Sequence, residues 1–121
     1  MIVNERPHKK LEVWKQSITL VTSIYEETKT FPRDEEYGLK SQMRRAAVSV
    51  PSNFAEGLTR KTKNDKLHFL NIAQGSLSEI DTQLEICLNL NYLDEGHYER
   101  IEVLLIEIQK LLSGLSRSIR D

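Results

Sequence analysis

Along most of this chain apolar residues recur at every third or fourth position, the spacing of one face of an α-helix, and no stretch alternates like a strand. The first such segment, about residues 9–29, aligns Leu11, Trp14, Ile18, Val21 and Tyr25. It stops at Thr30-Phe31-Pro32, because a proline pushes the residue before it out of the helical region. The second, about residues 34–61, opens on Asp34 as a cap, with Glu35 and Glu36 in the electropositive first turn. Its stripe is Leu39, Met43, Ala46, Ala47, Val50 and Phe54. Pro51 removes one backbone hydrogen bond there, leaving the Ala47 carbonyl short of a partner, and Ser52 and Asn53 are placed to re-satisfy the freed groups.

The third segment, about residues 64–91, starts from Asn64 as a cap and aligns Leu67, Leu70, Ala73, Leu77, Ile80, Leu84 and Cys87. In the fourth, about residues 95–120 behind the cap Asp94, Tyr98, Ile101, Leu105, Ile108, Leu112, Leu115 and Ile119 keep the spacing of a heptad repeat. Four segments of similar length on short connections predict one all-α domain over residues 1–121, an antiparallel up-down-up-down four-helix bundle.

Seven apolar residues fall away from these stripes: Leu20, Ile24, Ile72, Ile86, Leu90, Val103 and Ile106. Together they predict second buried faces, which in a chain of 121 residues means self-association. The back of the second segment carries Gln42, Arg45, Ser49, Ser52, Asn53 and Glu56 among many small residues, so a packing partner is expected there too. The hairpin of the second and third segments sets Arg45 level with Glu79, an expected ion pair, and brings Ser49 towards Ala73 to Gly75, where small side chains permit close approach.

A hydrophobic fraction of 39% fills one core and leaves no room for a second domain. No signal peptide opens the chain and no window approaches the roughly 20 apolar residues of a membrane span, so a cytoplasmic protein without membrane contact is expected. Cys87, the single cysteine, has no internal disulfide partner and reads as a small core residue. The net charge of −1 hides a division. Residues 40–66 hold seven basic and two acidic side chains, a net of +5, while residues 67–121 hold four basic and nine acidic ones, a net of −5. A basic block of this kind suits phosphates or an acidic partner.

Catalysis needs complementary groups within reach of each other, and neither a nucleophile with its base nor a paired set of carboxylates stands out. His8, His68 and His97 are scattered, and no Glu-x-x-His motif of di-iron bundles is present. Gly57 and Gly75 are isolated glycines, not a phosphate-cradling loop. The expectation is no enzyme, no cofactor and no metal. For RNA or DNA the candidate residues are Arg60, Lys61, Lys63 and Lys66 at the turn between the second and third segments, with Arg44, where cations would meet a phosphate backbone without reading sequence. No aromatic residue interleaves them to stack bases.

Several stretches, in order, carry a resemblance: Leu11-Glu12-Val13-Trp14-Lys15, Thr28-Lys29-Thr30-Phe31-Pro32, Glu36-Tyr37-Gly38-Leu39, the run from Arg44 to Gly57, and Ala73-Gln74-Gly75-Ser76-Leu77-Ser78-Glu79. The sequence resembles, over nearly its whole length, the four-helix-bundle proteins first noted as reading frames in intervening sequences of bacterial 23S ribosomal RNA genes, often described as ribosomal-protein-like. Members are known chiefly by fold, and no catalytic residues come with the resemblance. The family also resembles the accessory variability determinant of diversity-generating retroelements, a pentameric ring that binds nucleic acid and a reverse transcriptase. What this implies is a homopentamer that binds itself, another protein, or RNA or DNA. That relative is strongly basic, and this chain, at −1, departs from it.

Overall fold

The computed structural model describes residues 11–121 and contains four α-helices: α1 (Glu12–Thr28), α2 (Leu39–Leu58), α3 (Lys63–Asn89) and α4 (Glu95–Arg120). His8 and the expected start of the first helix at Lys9 lie outside the described residues. Each helix packs on its neighbours in the cycle α1–α2–α3–α4–α1, the antiparallel four-helix bundle the hydrophobic spacing predicts.

The core stripe of α4 is the one expected: Ile101, Leu105, Ile108 and Leu112 are buried, with Tyr98, Leu115 and Ile119 packed at its edge. Met43, Ala46, Ala47, Val50 and Phe54 of α2 and Leu70, Ala73, Leu77, Ile80, Leu84 and Cys87 of α3 complete it, whereas Leu39 packs at its edge and Leu67 is only half-buried. The stripe of α1 is corrected in part, with Trp14 and Val21 packed at the edge of the core and the rest of the face turned. Val13, Ser17, Leu20, Ile24 and Thr28 face the core, whereas Leu11, Ile18 and Tyr25 stand exposed. Two polar residues disguise the buried face. Ser17 Oγ donates to the Val13 carbonyl at 2.7 Å and Thr28 Oγ1 to the Ile24 carbonyl at 2.8 Å, so both hydroxyls are satisfied on their own helix and cost little to bury.

Helix starts also differ in part from expectation. Arg33–Glu35 forms a single 3-10 turn in place of the first turn of a helix capped by Asp34, and α2 begins only at Leu39. Its cap comes from Glu35, whose Oε1 accepts the Leu39 N–H at 3.1 Å while Oε2 accepts the Tyr92 hydroxyl at 2.9 Å. One carboxylate thereby ties the start of α2 to the α3–α4 turn, where the Phe31 and Tyr92 rings pack 5.2 Å apart. Thr62, not Asn64, caps α3, its hydroxyl accepting the Asp65 N–H at 3.1 Å. Asp94 caps α4 as expected, accepting the His97 N–H at 2.8 Å. The end of α3 is closed by bonds from Tyr92 N to Cys87 O at 2.9 Å and from Asn91 N to Leu88 O at 3.2 Å, with Asn91 at φ 61°. That is a Schellman closure, and asparagine tolerates the left-handed backbone it needs.

Pro51 is buried within a continuous α2. Asn53 turns its amide back onto the helix, 2.9 Å from the Ser49 carbonyl, rather than onto the Ala47 carbonyl opposite the proline ring. Cys87 lies in the core with its sulfur 3.5 Å from that of Met43. Burial, and secondarily the charge of Glu35, pushes its thiol up to about 11.

Candidate interaction surfaces

No group of three or more His, Cys, Asp or Glu side chains among the described residues is arranged to hold a metal ion. The chemistry of the molecule lies on its outer faces, which the bundle sorts by charge and polarity.

The α2–α3 seam is polar. Ser76 Oγ donates to Ser49 Oγ at 2.8 Å, and Asn53 Nδ2 donates to the same oxygen at 2.8 Å. This sets the register of the two helices one residue beyond the Ala73–Gly75 stretch expected opposite Ser49. Gly75 lies on the outside, where a Cβ would meet nothing within 4 Å. The close approach uses Gly57 instead, where a Cβ would stand 3.1 Å from Phe69 Cβ and 3.2 Å from the Lys66 carbonyl oxygen. Arg45 and Glu79 line one depression of this seam with Gln42, Ala46, Ser49 and Ser76, at the shared height that the hairpin predicts. They do not form the expected ion pair. The Arg45 guanidinium reaches back 3.4 Å to Ser41 Oγ, and Glu79 accepts from Gln83 at 3.2 Å, so each side chain is held along its own helix. Ile72 and Ile86, one heptad either side of Glu79 on α3, are both exposed, and Glu56 of α2 pairs with Arg60.

The basic residues do not form one site. Arg60 pairs with Glu56 at 3.2 Å and lies over the Phe69 ring, 4.6 Å from its centre. Part of its charge is therefore already met, and the aromatic ring the turn seemed to lack is covered by it. Lys61 and Lys63 are exposed, and Lys66 is half-buried in the first turn of α3. Arg44 is apart from them, since α2 runs on from Arg44 to its end at Leu58 before the turn that holds Arg60, roughly 20 Å at 1.5 Å per residue. Its Nε donates to Thr28 Oγ1 at 2.9 Å and a terminal nitrogen to the Tyr25 carbonyl at 3.1 Å, with the guanidinium 4.4 Å from the Tyr25 ring centre. Arg44 thus serves the C-terminal end of α1, where orphan carbonyls favour a cation.

The α3–α4 face is acidic. Burial comes first, followed by the hydrogen bond with Asp81 and the charges of Asp81 and Glu85, in pushing Glu102 up to about 7 from an ordinary value of 4.5. With both carboxylates ionised, Glu102 Oε2 is buried without a donor; a proton on Glu102 lets it donate to Asp81. The folded state therefore holds a proton that the unfolded chain releases near pH 4.5, so this group's stabilising contribution is full below that value and falls away as pH rises through about 7. Glu102→Gln is expected to melt higher than wild type at pH 8 and close to it at pH 5. Equal gains at both pH values would show that Glu102 is not protonated in the fold.

Fold and surfaces together define an all-α four-helix-bundle protein whose outer faces are differentiated by charge. The family model for 23S rRNA-intervening sequence protein matches residues 9–114, and the chain belongs to that family. It is similar to a crystal structure of a protein with unknown function from the S23 ribosomal protein family of Bacteroides thetaiotaomicron. The two are 25% identical with a TM-score of 0.77, over 86% of this chain and 97% of that one. No curated protein matches the chain.

Proposed function

We propose that the protein is a non-enzymatic binding scaffold of the 23S rRNA-intervening sequence family whose working unit is a homo-oligomer, with five copies the number the resemblance implies. The observation that carries this reading is the set of large apolar side chains left on the outside of a well-filled core. Ile18 and Tyr25 on α1, Val48 on α2, Ile72 and Ile86 on α3, and Val103 and Ile106 on α4 are each at least 37% exposed. Some repeat at heptad steps, Leu11 at the cap of α1 with Ile18 and Tyr25 along it, and Ile72 and Ile86 two heptads apart on α3, which is the arrangement of faces that pack on other helices. A second protein surface is the cover these stripes call for. The reading needs neither cofactor nor metal.

Light scattering at micromolar protein is expected to give a mass several times the protomer's 14.0 kDa. A monodisperse species at 14.0 kDa would remove the basis of the proposal. A second reading, weak and sequence-tolerant binding of RNA or DNA, is favoured by exposed Lys61 and Lys63 at the α2–α3 turn, neither of which has a carboxylate partner among the described residues. It would show as a mobility shift that weakens with salt and disappears when Arg60, Lys61, Lys63 and Lys66 are replaced by glutamate. A shift that survives the replacement places the contact elsewhere.

A further inference from the structure

Two outer faces of the bundle carry charge that the chain itself does not neutralise, opposite in sign, and each sets that charge beside exposed apolar side chains. Because the helices pack in the cycle α1–α2–α3–α4–α1, the groove between α1 and α2 lies across the bundle from the groove between α3 and α4.

The first groove is basic and aromatic. Tyr25, Tyr37 and Val48 line it together with Lys40, Arg44 and Arg45. Lys40 is matched by Glu36 at 3.0 Å. The arginines bond only to neutral oxygens, Arg44 to Thr28 and Tyr25, and Arg45 to Ser41, so among the described residues neither meets a carboxylate. The second groove is acidic. Gln74 Nε2 donates to the Gln109 carbonyl at 3.3 Å and to Ser113 Oγ at 3.1 Å, fixing a register that sets Asp81 and Glu85, one turn apart on α3, level with Glu99 and Glu102 on α4. None of these four carboxylates is in an ion pair among the described residues, and because Glu102 holds a proton up to about pH 7 the lasting negative charge is that of Asp81, Glu85 and Glu99. Their field is felt by Tyr98 between them, whose hydroxyl is pushed up first by burial and then by Glu102, Glu85 and Asp81. On the outer side of α4, Val103, 66% exposed, and Ile106, 40% exposed, line a shallow depression together with Glu107 and Lys110.

We infer that the basic α1–α2 groove of one copy receives the acidic α3–α4 face of the next, Arg44 and Arg45 meeting the carboxylates while Tyr25 and Val48 cover Val103 and Ile106. The inference rests on the oligomeric reading above and says which two faces meet. Within one chain each face gathers like charges that repel. Brought together, they neutralise one another, and the weakly hydrated guanidinium loses less on desolvation than an ammonium would. A molecule with opposite charges on opposite sides also orients its partners before contact. Since the two faces differ, the contact is heterologous, and it propagates from copy to copy until the rotations close a ring.

The test uses two double variants of the full chain, Arg45→Glu with Val48→Asp, which spoils only the groove, and Glu85→Lys with Glu99→Lys, which spoils only the acidic face. All four positions are on the surface, and circular dichroism checks that the helices persist; a double variant that has lost them is replaced by its single change, Val48→Asp or Glu99→Lys. Each variant alone is expected to stay at 14.0 kDa, and an equimolar mixture to yield a species of at least twice that mass, because the intact acidic face of one can still meet the intact groove of the other. Wild-type assembly is expected to weaken as salt is raised. If wild type assembles and either variant keeps its size, the face assignment is wrong while the oligomeric reading stands. If both fall apart and the mixture remains at protomer mass, the contact does not join these two faces. A wild type that is itself at protomer mass removes both readings.

Discussion

Replacing Phe54 by alanine is expected to cost about 3–5 kcal/mol of folding stability, the range for losing a large aromatic side chain from a filled core. Among the described residues Phe54 is the largest side chain that is fully buried, and it lies on the face of α2 that packs on α3 and α1. Its removal opens a cavity that rigid neighbouring helices fill only in part. Domains of this kind are held by about 5–15 kcal/mol in all, so the variant will unfold at a much lower denaturant concentration. Wild type and variant must be compared at one protomer concentration, because assembly adds stability by mass action. Val48→Ala, on the outer side of the same helix, is the control, expected within about 0.5 kcal/mol in a dissociated sample. A Phe54→Ala loss no larger than the control's would mean that this region of the core is not packed as described.

The second large effect is expected at Gly57. A bare Cβ there already stands 3.1 Å from Phe69 and 3.2 Å from the Lys66 carbonyl, and the latter belongs to helix backbone that yields little. Gly57→Leu must push α2 away from α3 and is expected to lose about 1–3 kcal/mol, or to displace the α2–α3 turn. At Gly75 a Cβ meets nothing within 4 Å. Gly75→Ala is therefore expected to change stability in the other direction, gaining about 0.5–1 kcal/mol through helix propensity. Thermal melting of the two variants measures this difference in sign. A gain at both positions would contradict the close packing at Gly57.

Sequence periodicity revealed most where the core face of a helix is an unbroken apolar run. The heptads of α4 and the α3 run from Leu70 to Cys87 are almost all aliphatic; the α3 residues and Ile101, Leu105, Ile108 and Leu112 are buried, while Tyr98, Leu115 and Ile119 pack at the edge of the core. In α1 the opposite holds, since Ser17 and Thr28 interrupt the buried face while Leu11, Ile18 and Tyr25 give the outer one an unbroken apolar look. Periodicity counts apolar residues and is blind to a hydroxyl satisfied by its own helix. The cap of α2 was hidden for a similar reason: Glu35 reaches its target through a flexible side chain from four residues upstream, a geometry that no short cap motif encodes. Counting from the turn placed Arg45 and Glu79 at one height, because backbone spacing in a hairpin is regular. Their bonding was not legible, since long side chains choose among partners within 3–4 Å and the nearer ones lay on their own helices. Of the basic residues, Arg44 looked free in a list of charges, and only folding brings Thr28 and Tyr25 within its reach.

The buried thiol of Cys87 has a practical consequence. With its ionisation pushed up to about 11, roughly one thiol in ten thousand is a thiolate at neutral pH, and even that fraction sits behind closely packed helices. An alkylating reagent can consume it only during moments when the helices part. The rate of that consumption counts those moments, so the chain carries its own clock for opening, readable by mass spectrometry without any added label.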